Sequence, residues 1–239
     1  MSNTETTPPL QEYFTDVPPR YDFINRLMTW GLDQAYRKRM AAMIARSGID
    51  SFLDIGTGTG DLVYLVGKND ADNGIALQGL DFSATMLERA KEKTATLPHS
   101  PVNFVQGDAS AMPFSDGTFA AAGIAYAFRN MMFKNTRTQE ILGEYFRILK
   151  PGGTFYALET SQPVFAPIRW VFHGYMFFAA AIVGGLLSGN FKAYKYLAWS
   201  TNHFHNRKTI TSMLKQAGFS EVNHIPLLMG MMAITIAKK

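Results

Sequence analysis

The sequence predicts a doubly wound α/β fold, and three observations carry that reading. Short apolar runs alternate with segments of helical periodicity, a glycine cluster separates the first run from the next helix, and a Lys-Pro-Gly-Gly turn precedes a further apolar run. The 239 residues suit one such domain with room for a lid, and 47% hydrophobic against 18% charged residues allows a core of that size.

Residues 1–12 are polar, carry Pro8 and Pro9, and read as a disordered tail; residues 13–239 read as a single domain. No basic stretch followed by an apolar one opens the chain, so no secretory leader is expected and a cytoplasmic location is. Between Tyr21 and Ile44 the apolar positions Phe23, Ile24, Leu27, Met28, Met40, Met43 and Ile44 recur at helical intervals, with a break at Trp30-Gly31. This is a helical cap, residues 13–48, before the sheet. Ser51 to Ile55 is the first strand, and the helix Asp61 to Lys68 follows its glycine cluster.

Further strands are expected at Ala76 to Leu80, Val102 to Gln106, Phe119 to Ala125 and Thr154 to Glu159, with helices at Ala84 to Lys93 and Arg137 to Leu149. A helix from Thr209 to Ala217 stops at Gly218, and Val222 to Leu228 with Met231 to Ala237 reads as a closing hairpin. The segment 163–205 is no ordinary crossover. It is rich in Phe, Tyr, Ala and Gly, and its uncharged stretch Gly174 to Asn190 falls short of the roughly 18 to 20 apolar residues that span a bilayer. It reads as a substrate lid or a helix lying on a membrane.

Composition removes several chemistries. With no cysteine there is no disulfide framework, thiolate metal site or cysteine nucleophile. The net charge of +4 is spread without a dense basic block, so no nucleic-acid partner is expected.

The run Asp54-Ile55-Gly56-Thr57-Gly58-Thr59-Gly60-Asp61 lies between strand and helix, where glycines let backbone N–H groups approach a ligand at the positive end of a helix. Asp81, at the end of the second strand, is placed to accept from both hydroxyls of a ribose, and Asp108-Ala109, after the third, to meet an adenine amino group. Together these outline an adenosine site. Dinucleotide binding wants G-x-G-x-x-G, whereas here the glycines run G-x-G-x-G after Asp54, which suits the cationic amino group of S-adenosyl-L-methionine. No P-loop pattern is present. No metal is needed, because the sulfonium of that cofactor is already activated.

Several separated blocks resemble the ubiquinone/menaquinone biosynthesis C-methyltransferases. They include Tyr21-Asp22-Phe23-Ile24-Asn25, Leu53-Asp54 through Asp61, Gly107-Asp108-Ala109, Phe128-Arg129-Asn130, Arg147 through Gly153, and Tyr194-Lys195-Tyr196-Leu197-Ala198-Trp199-Ser200. The glycine and Lys-Pro-Gly-Gly blocks are generic to class I methyltransferases; the Tyr-Asp-x-x-Asn opening, Arg129-Asn130 and the Tyr-x-Tyr-Leu block are more specific. The resemblance implies a Rossmann-like class I fold: a seven-stranded, mostly parallel sheet with an antiparallel C-terminal hairpin, a helical cap and a helical lid. It also implies methylation of the ring of a polyprenylated quinol, demethylmenaquinol first, with Thr59, Asp81, Asp108 and Ala109 on the cofactor, beside Asp54, Gly56 and Gly60 of the glycine run read above. The chain departs from the family pattern at Arg26, Asp33, Ala125 and the run Phe204-His205-Asn206-Arg207.

Arg129 and Asn130 follow the fourth strand at the edge where α/β sheets bind ligands, so they are the catalytic candidates, with Tyr21 closing the site. Arginine stays protonated and is assigned to a quinolate and an ordered water rather than to a free base. Asn25, Tyr126 and Tyr196 are candidates for the substrate side. His203 and His205 are both left open as proton acceptors, and Glu159 as orienting a hydroxyl or as a structural acceptor. The aromatic segment from Phe165 to Leu187 suits either core packing or a prenyl tail, and peripheral contact with the inner face of a membrane is expected through it. A homodimer is left open. Two rival readings share the cofactor residues: a class I methyltransferase acting on another lipid or a small phenol, and a non-catalytic scaffold subunit.

Overall fold

The computed structural model describes residues 31–70, 74–97, 101–179 and 191–239. The tail 1–12 and most of the cap lie outside them. Seven strands, β1 (Ser51–Ile55), β2 (Ala76–Asp81), β3 (Val102–Gln106), β4 (Phe119–Ala125), β5 (Leu149–Thr160), β6 (Glu221–Leu227) and β7 (Met232–Lys238), form one sheet in the order β3-β2-β1-β4-β5-β7-β6. The first five are parallel, and β7 inserts antiparallel between β5 and β6. The expected mostly parallel sheet with a reversed closing hairpin is therefore present.

Eight α-helices are described: α1 (Leu32–Ala45), α2 (Asp61–Asn69), α3 (Ala84–Thr94), α4 (Phe128–Met132), α5 (Thr138–Arg147), α6 (Ala166–Phe178), α7 (Phe191–Asn202) and α8 (Arg207–Gln216). Adjacent residues of β1 point to opposite faces, and the core divides accordingly. Phe52 packs with Met40 and Ile44 of α1 and Leu62, Val63 and Val66 of α2, whereas Leu53 and Ile55 pack with Phe128, Leu142, Tyr145 and Leu214 from α4, α5 and α8. Strand β1 is covered on both sides, with Phe52 to Ile55 all buried.

Local sequence explains most boundaries. Gly31 has φ +72 immediately before α1, Ser83 caps α3 by accepting from the Met86 N–H, and Asn206 caps α8 by accepting from the Thr209 N–H at 3.0 Å. Most boundaries fall within two residues of the expectation, and one differs by more. Strand β5 starts at Leu149 rather than Thr154, because Leu149 already pairs with Phe119; the Pro151-Gly152-Gly153 turn is then absorbed as a shift in the β4–β5 register.

Strand order reverses between β1 and β4. The crevice beyond their carboxyl ends is where ligands enter sheets of this kind. Among the described residues no helix is long and apolar enough to cross a membrane.

Candidate active site

The loop leaving β1 is held open by backbone conformations that only glycine adopts without strain: φ is +63 at Gly56, +54 at Gly58 and +79 at Gly60. Two carboxylates brace it. Asp54 Oδ2 accepts from Thr57 Oγ1 at 2.7 Å and from the Val63 N–H at 3.1 Å, which fastens the loop to the first turn of α2. Asp54 is almost wholly buried, and burial pushes its carboxyl up to about 7 against these hydrogen bonds. Its observed partners are Thr57 of the loop and Val63 of α2.

Asp81 braces the other side. Its Oδ2 accepts from the Gly58 N–H at 2.8 Å and its Oδ1 from the Ser83 N–H at 2.9 Å. Burial raises its pKa. A carboxylate offers about four acceptor sites, so two bonds leave room for the paired hydroxyls of a ribose. The space above Gly58 is open, with no atom within 4 Å of a Cβ built there. Phe82, next in sequence, exposes its ring at the same strand end. An open glycine cradle, a buried carboxylate with spare acceptor capacity and an exposed aromatic face fit an adenosine group. Phe82 was not anticipated, although its place directly after Asp81 is a readable signal.

Asp108 is exposed at the end of β3; its Oδ1 accepts from the Ser110 N–H at 2.8 Å, and Arg137 lies 3.6 Å from its Oδ2. Ala109 packs on the core beside it. Thr59 does not stand alone: its hydroxyl accepts from Lys93 Nζ at 3.0 Å, and Lys93 also donates to Asp61 Oδ1 at 2.6 Å.

Beyond β4 the chain turns sharply. Tyr126 has φ +64, costly for an aromatic residue. Its hydroxyl donates to the Asp33 carbonyl at 3.1 Å, and Arg37 sits 5.0 Å above its ring centroid. Burial pushes the phenol pKa up. Tyr126 therefore joins β4 to α1.

Arg129 follows on α4. It is buried, not a surface cation. Its backbone N–H donates to Glu159 Oε2 at 3.0 Å, its Nε lies 3.7 Å from Glu159 Oε1 without a hydrogen bond, and its Nη1 donates to Ser200 Oγ in α7. Glu159 is fixed in turn by the Thr160 N–H and hydroxyl, at 2.8 and 2.9 Å. Of the two roles left open for Glu159, it is the structural acceptor that the geometry displays. Asn130 is half-buried next to this cluster. Tyr21 and Asn25 lie outside the described residues, as does the side chain of Tyr196.

Each of the two candidate histidines makes a contact within the fold. His203 Nδ1 is 2.8 Å from the Trp199 carbonyl, so Nδ1 carries the proton and donates; His205 packs against Phe133, and burial lowers its pKa. Helices α6 and α7 are stitched to the end of β5: Gln162 Nε2 donates to the Thr201 carbonyl at 2.9 Å, Gln162 Oε1 lies 2.9 Å from His173 Nε2, and Asn202 Nδ2 donates to the His173 carbonyl at 3.2 Å.

The family model described as the ubiE/COQ5 methyltransferase family matches residues 1–239. The chain belongs to that family. It is a methyltransferase with the fold of the S-adenosylmethionine-dependent class. A demethylmenaquinone methyltransferase of Thermus thermophilus is 36% identical over 226 residues, covering 95% of this chain and 99% of that protein. A ubiquinone/menaquinone biosynthesis C-methyltransferase UbiE of Geotalea daltonii is 31% identical over 237 residues, covering 99% and 98%. Among solved structures, an O-methyltransferase family protein from Burkholderia thailandensis shares the fold with TM-score 0.63 at 16% identity, covering 96% of this chain and 62% of that one. A SAM-dependent methyltransferase from Aquifex aeolicus does so with TM-score 0.53 at 16% identity, covering 80% and 81%.

Proposed function

We propose that this methyltransferase places a methyl group on a ring carbon of a reduced, polyprenylated quinol, demethylmenaquinol first, with S-adenosylmethionine as donor. The single observation that carries the reading is the buried Arg129 guanidinium at the carboxyl end of β4, beside the crevice that the glycine loop opens. A class I methyltransferase has no need of a buried, carboxylate-braced cation there to hold its cofactor. A ring oxygen that must become anionic does need one. The relatives described above supply the substrate class.

When bound, S-adenosylmethionine supplies a sulfonium-activated methyl group. We assign Gly56, Gly60 and Gly58 to its cradle, Asp81 to the ribose hydroxyls, Asp108-Ala109 and Phe82 to the adenine, and Asp54 and Thr59 to fixing the loop around it. The remaining work is to raise electron density on the ring carbon and remove its proton. Arg129, steadied by Glu159 and Ser200, stabilises the quinolate oxygen, and with Asn130 it orders a water that carries the ring proton away. Tyr21, Asn25 and Tyr196 complete the substrate side in this proposal. Residues 13–239 act as one methyltransferase domain, and 163–205 form the lid. The outer face of α6 rests on the membrane that holds the prenyl tail.

The test is transfer of a labelled methyl group to demethylmenaquinol and to the ubiquinone-pathway benzoquinol. Arg129→Lys should slow turnover about 100-fold while cofactor affinity holds, because lysine keeps the charge and loses the planar fork. Asp81→Ala should weaken S-adenosylhomocysteine binding about tenfold or more. Cofactor binding without labelled product from either quinol would refute the assignment and favour the scaffold reading.

A further inference from the structure

One buried cation next to the glycine loop has no place in the scheme above. Arg37, on α1, has a side chain only 12% exposed. Its Nη1 lies 3.2 Å from Asp61 Oδ2 and 3.8 Å from Asp33 Oδ2, and yet makes no hydrogen bond although it is sealed from water. The reason is competition and angle. Asp61 gives its Oδ1 to Lys93 at 2.6 Å and offers Arg37 only a misaligned contact. Burial alone would raise the Asp61 pKa; Arg37 and Lys93 together overcome it and hold the carboxyl below its usual value.

A guanidinium presents five donors in a rigid plane, so burying one with an unused N–H is costly unless something else completes it. The place of Arg37 says what that is. The Tyr126 ring at the end of β4 holds one face of the guanidinium, and Asp61, the first residue of α2 after the glycine loop, lies at its edge. The group therefore sits over the switch point between β1 and β4, at the end of the loop away from Asp81 and Phe82. A ligand whose ribose lies on Asp81 and whose other end is an amino acid would run toward it.

We infer that Arg37 receives the α-carboxylate of the cofactor's methionine portion, a planar group that matches the guanidinium fork. The local charges permit this: Arg37 and Lys93 stand among Asp33 and Asp61, so an amino-acid zwitterion would set its ammonium toward the acids and its carboxylate toward Arg37. The inference rests on S-adenosylmethionine being the donor.

Calorimetry on the full chain separates the two. The probes are S-adenosylhomocysteine, its decarboxylated counterpart, and 5′-methylthioadenosine, which lacks the amino-acid end. Arg37→Met should weaken S-adenosylhomocysteine roughly 10- to 100-fold and leave the other two within about twofold, as loss of a charge-assisted bond requires. Arg37→Lys, which keeps the charge but not the fork, should fall between, and it carries the comparison if Arg37→Met does not fold. Equal losses for every probe, or no loss for any, would overturn the carboxylate assignment alone. A native chain that binds none of the probes would overturn the donor assignment as well.

Discussion

Asp54 is the residue at which stability and site are most directly coupled. Its carboxyl titrates near 7 in the folded chain because burial disfavours the charge, against 3.8 for the free side chain. A folded-state pKa raised in this way means that the native chain binds the extra proton between those two values. Stability from this group is therefore fully present below about pH 4 and lost as pH rises to about 7, by up to an amount on the order of 4 kcal/mol. Asp54→Asn keeps an oxygen for Thr57 and Val63 and removes the titration, so urea unfolding from pH 4 to 8 should show a flatter profile for the variant. Parallel profiles would place the pH dependence elsewhere. Asp54 and Asp81 were legible because their neighbours in sequence, a glycine run and a strand end, announce them. Ser200 as a partner of Arg129 was not, since 71 residues separate the two and only the docking of α7 brings them together. Arg37 and Lys93 escaped notice for a similar reason: each reads as an ordinary charge on an amphipathic helix until α1, α2 and α3 converge on the loop.

At the scale of the loop and its flanking elements, the three glycines are not equivalent, and the difference is measurable. A Cβ on Gly60 would lie 3.0 Å from Ala90 Cβ in α3, and φ +79 adds strain, so Gly60→Ala should destabilise the fold by about 2 to 3 kcal/mol. Gly58 has φ +54 but nothing within 4 Å of its Cβ position, so Gly58→Ala should cost only about 1 to 2 kcal/mol of backbone strain. Its methyl would instead occupy the open cradle, and S-adenosylhomocysteine affinity should drop by about tenfold or more. Melting curves and binding constants of both variants check this; a Gly58→Ala chain that binds like the native one would remove the cradle from the site. The elements most legible in the sequence were those whose apolar runs end in a glycine or an acid, namely β1 to β3. Strand β5 was misjudged at its start because pairing between Leu149 and Phe119, a tertiary contact, prolongs it across a Pro-Gly-Gly turn that local chemistry marks as a break.

The proposed reaction asks the molecule to bring a water-borne cofactor and a lipid-borne ring to the same sheet edge, and the outer face of α6 is the surface that suits the second task. Helix α6 buries Phe172 and Met176 against α7, yet Trp170, Val171, Phe177 and Phe178 remain on the outside, with Trp170 73% exposed. Large apolar groups clustered on one outer face mark an interaction surface rather than a core. Arg169 on the same helix and exposed Lys195 on α7 add positive charge suited to anionic lipid. Through Ser200 the α6–α7 pair also reaches Arg129, so in the proposed scheme a helix pair resting on a bilayer would stay in register with the cation assigned to the quinolate. Replacing Trp170 and Phe178 with serine removes little buried area, and unfolding stability should change by less than about 1 kcal/mol. Co-sedimentation with vesicles containing anionic lipid should fall severalfold, and the KM for a long-prenyl quinol delivered in those vesicles should rise by a similar factor. A short-chain quinol in solution should be methylated at an unchanged rate, because it needs no delivery from the lipid phase. If both substrates slow together, the outer face of α6 serves the chemistry directly and the membrane has no part in it.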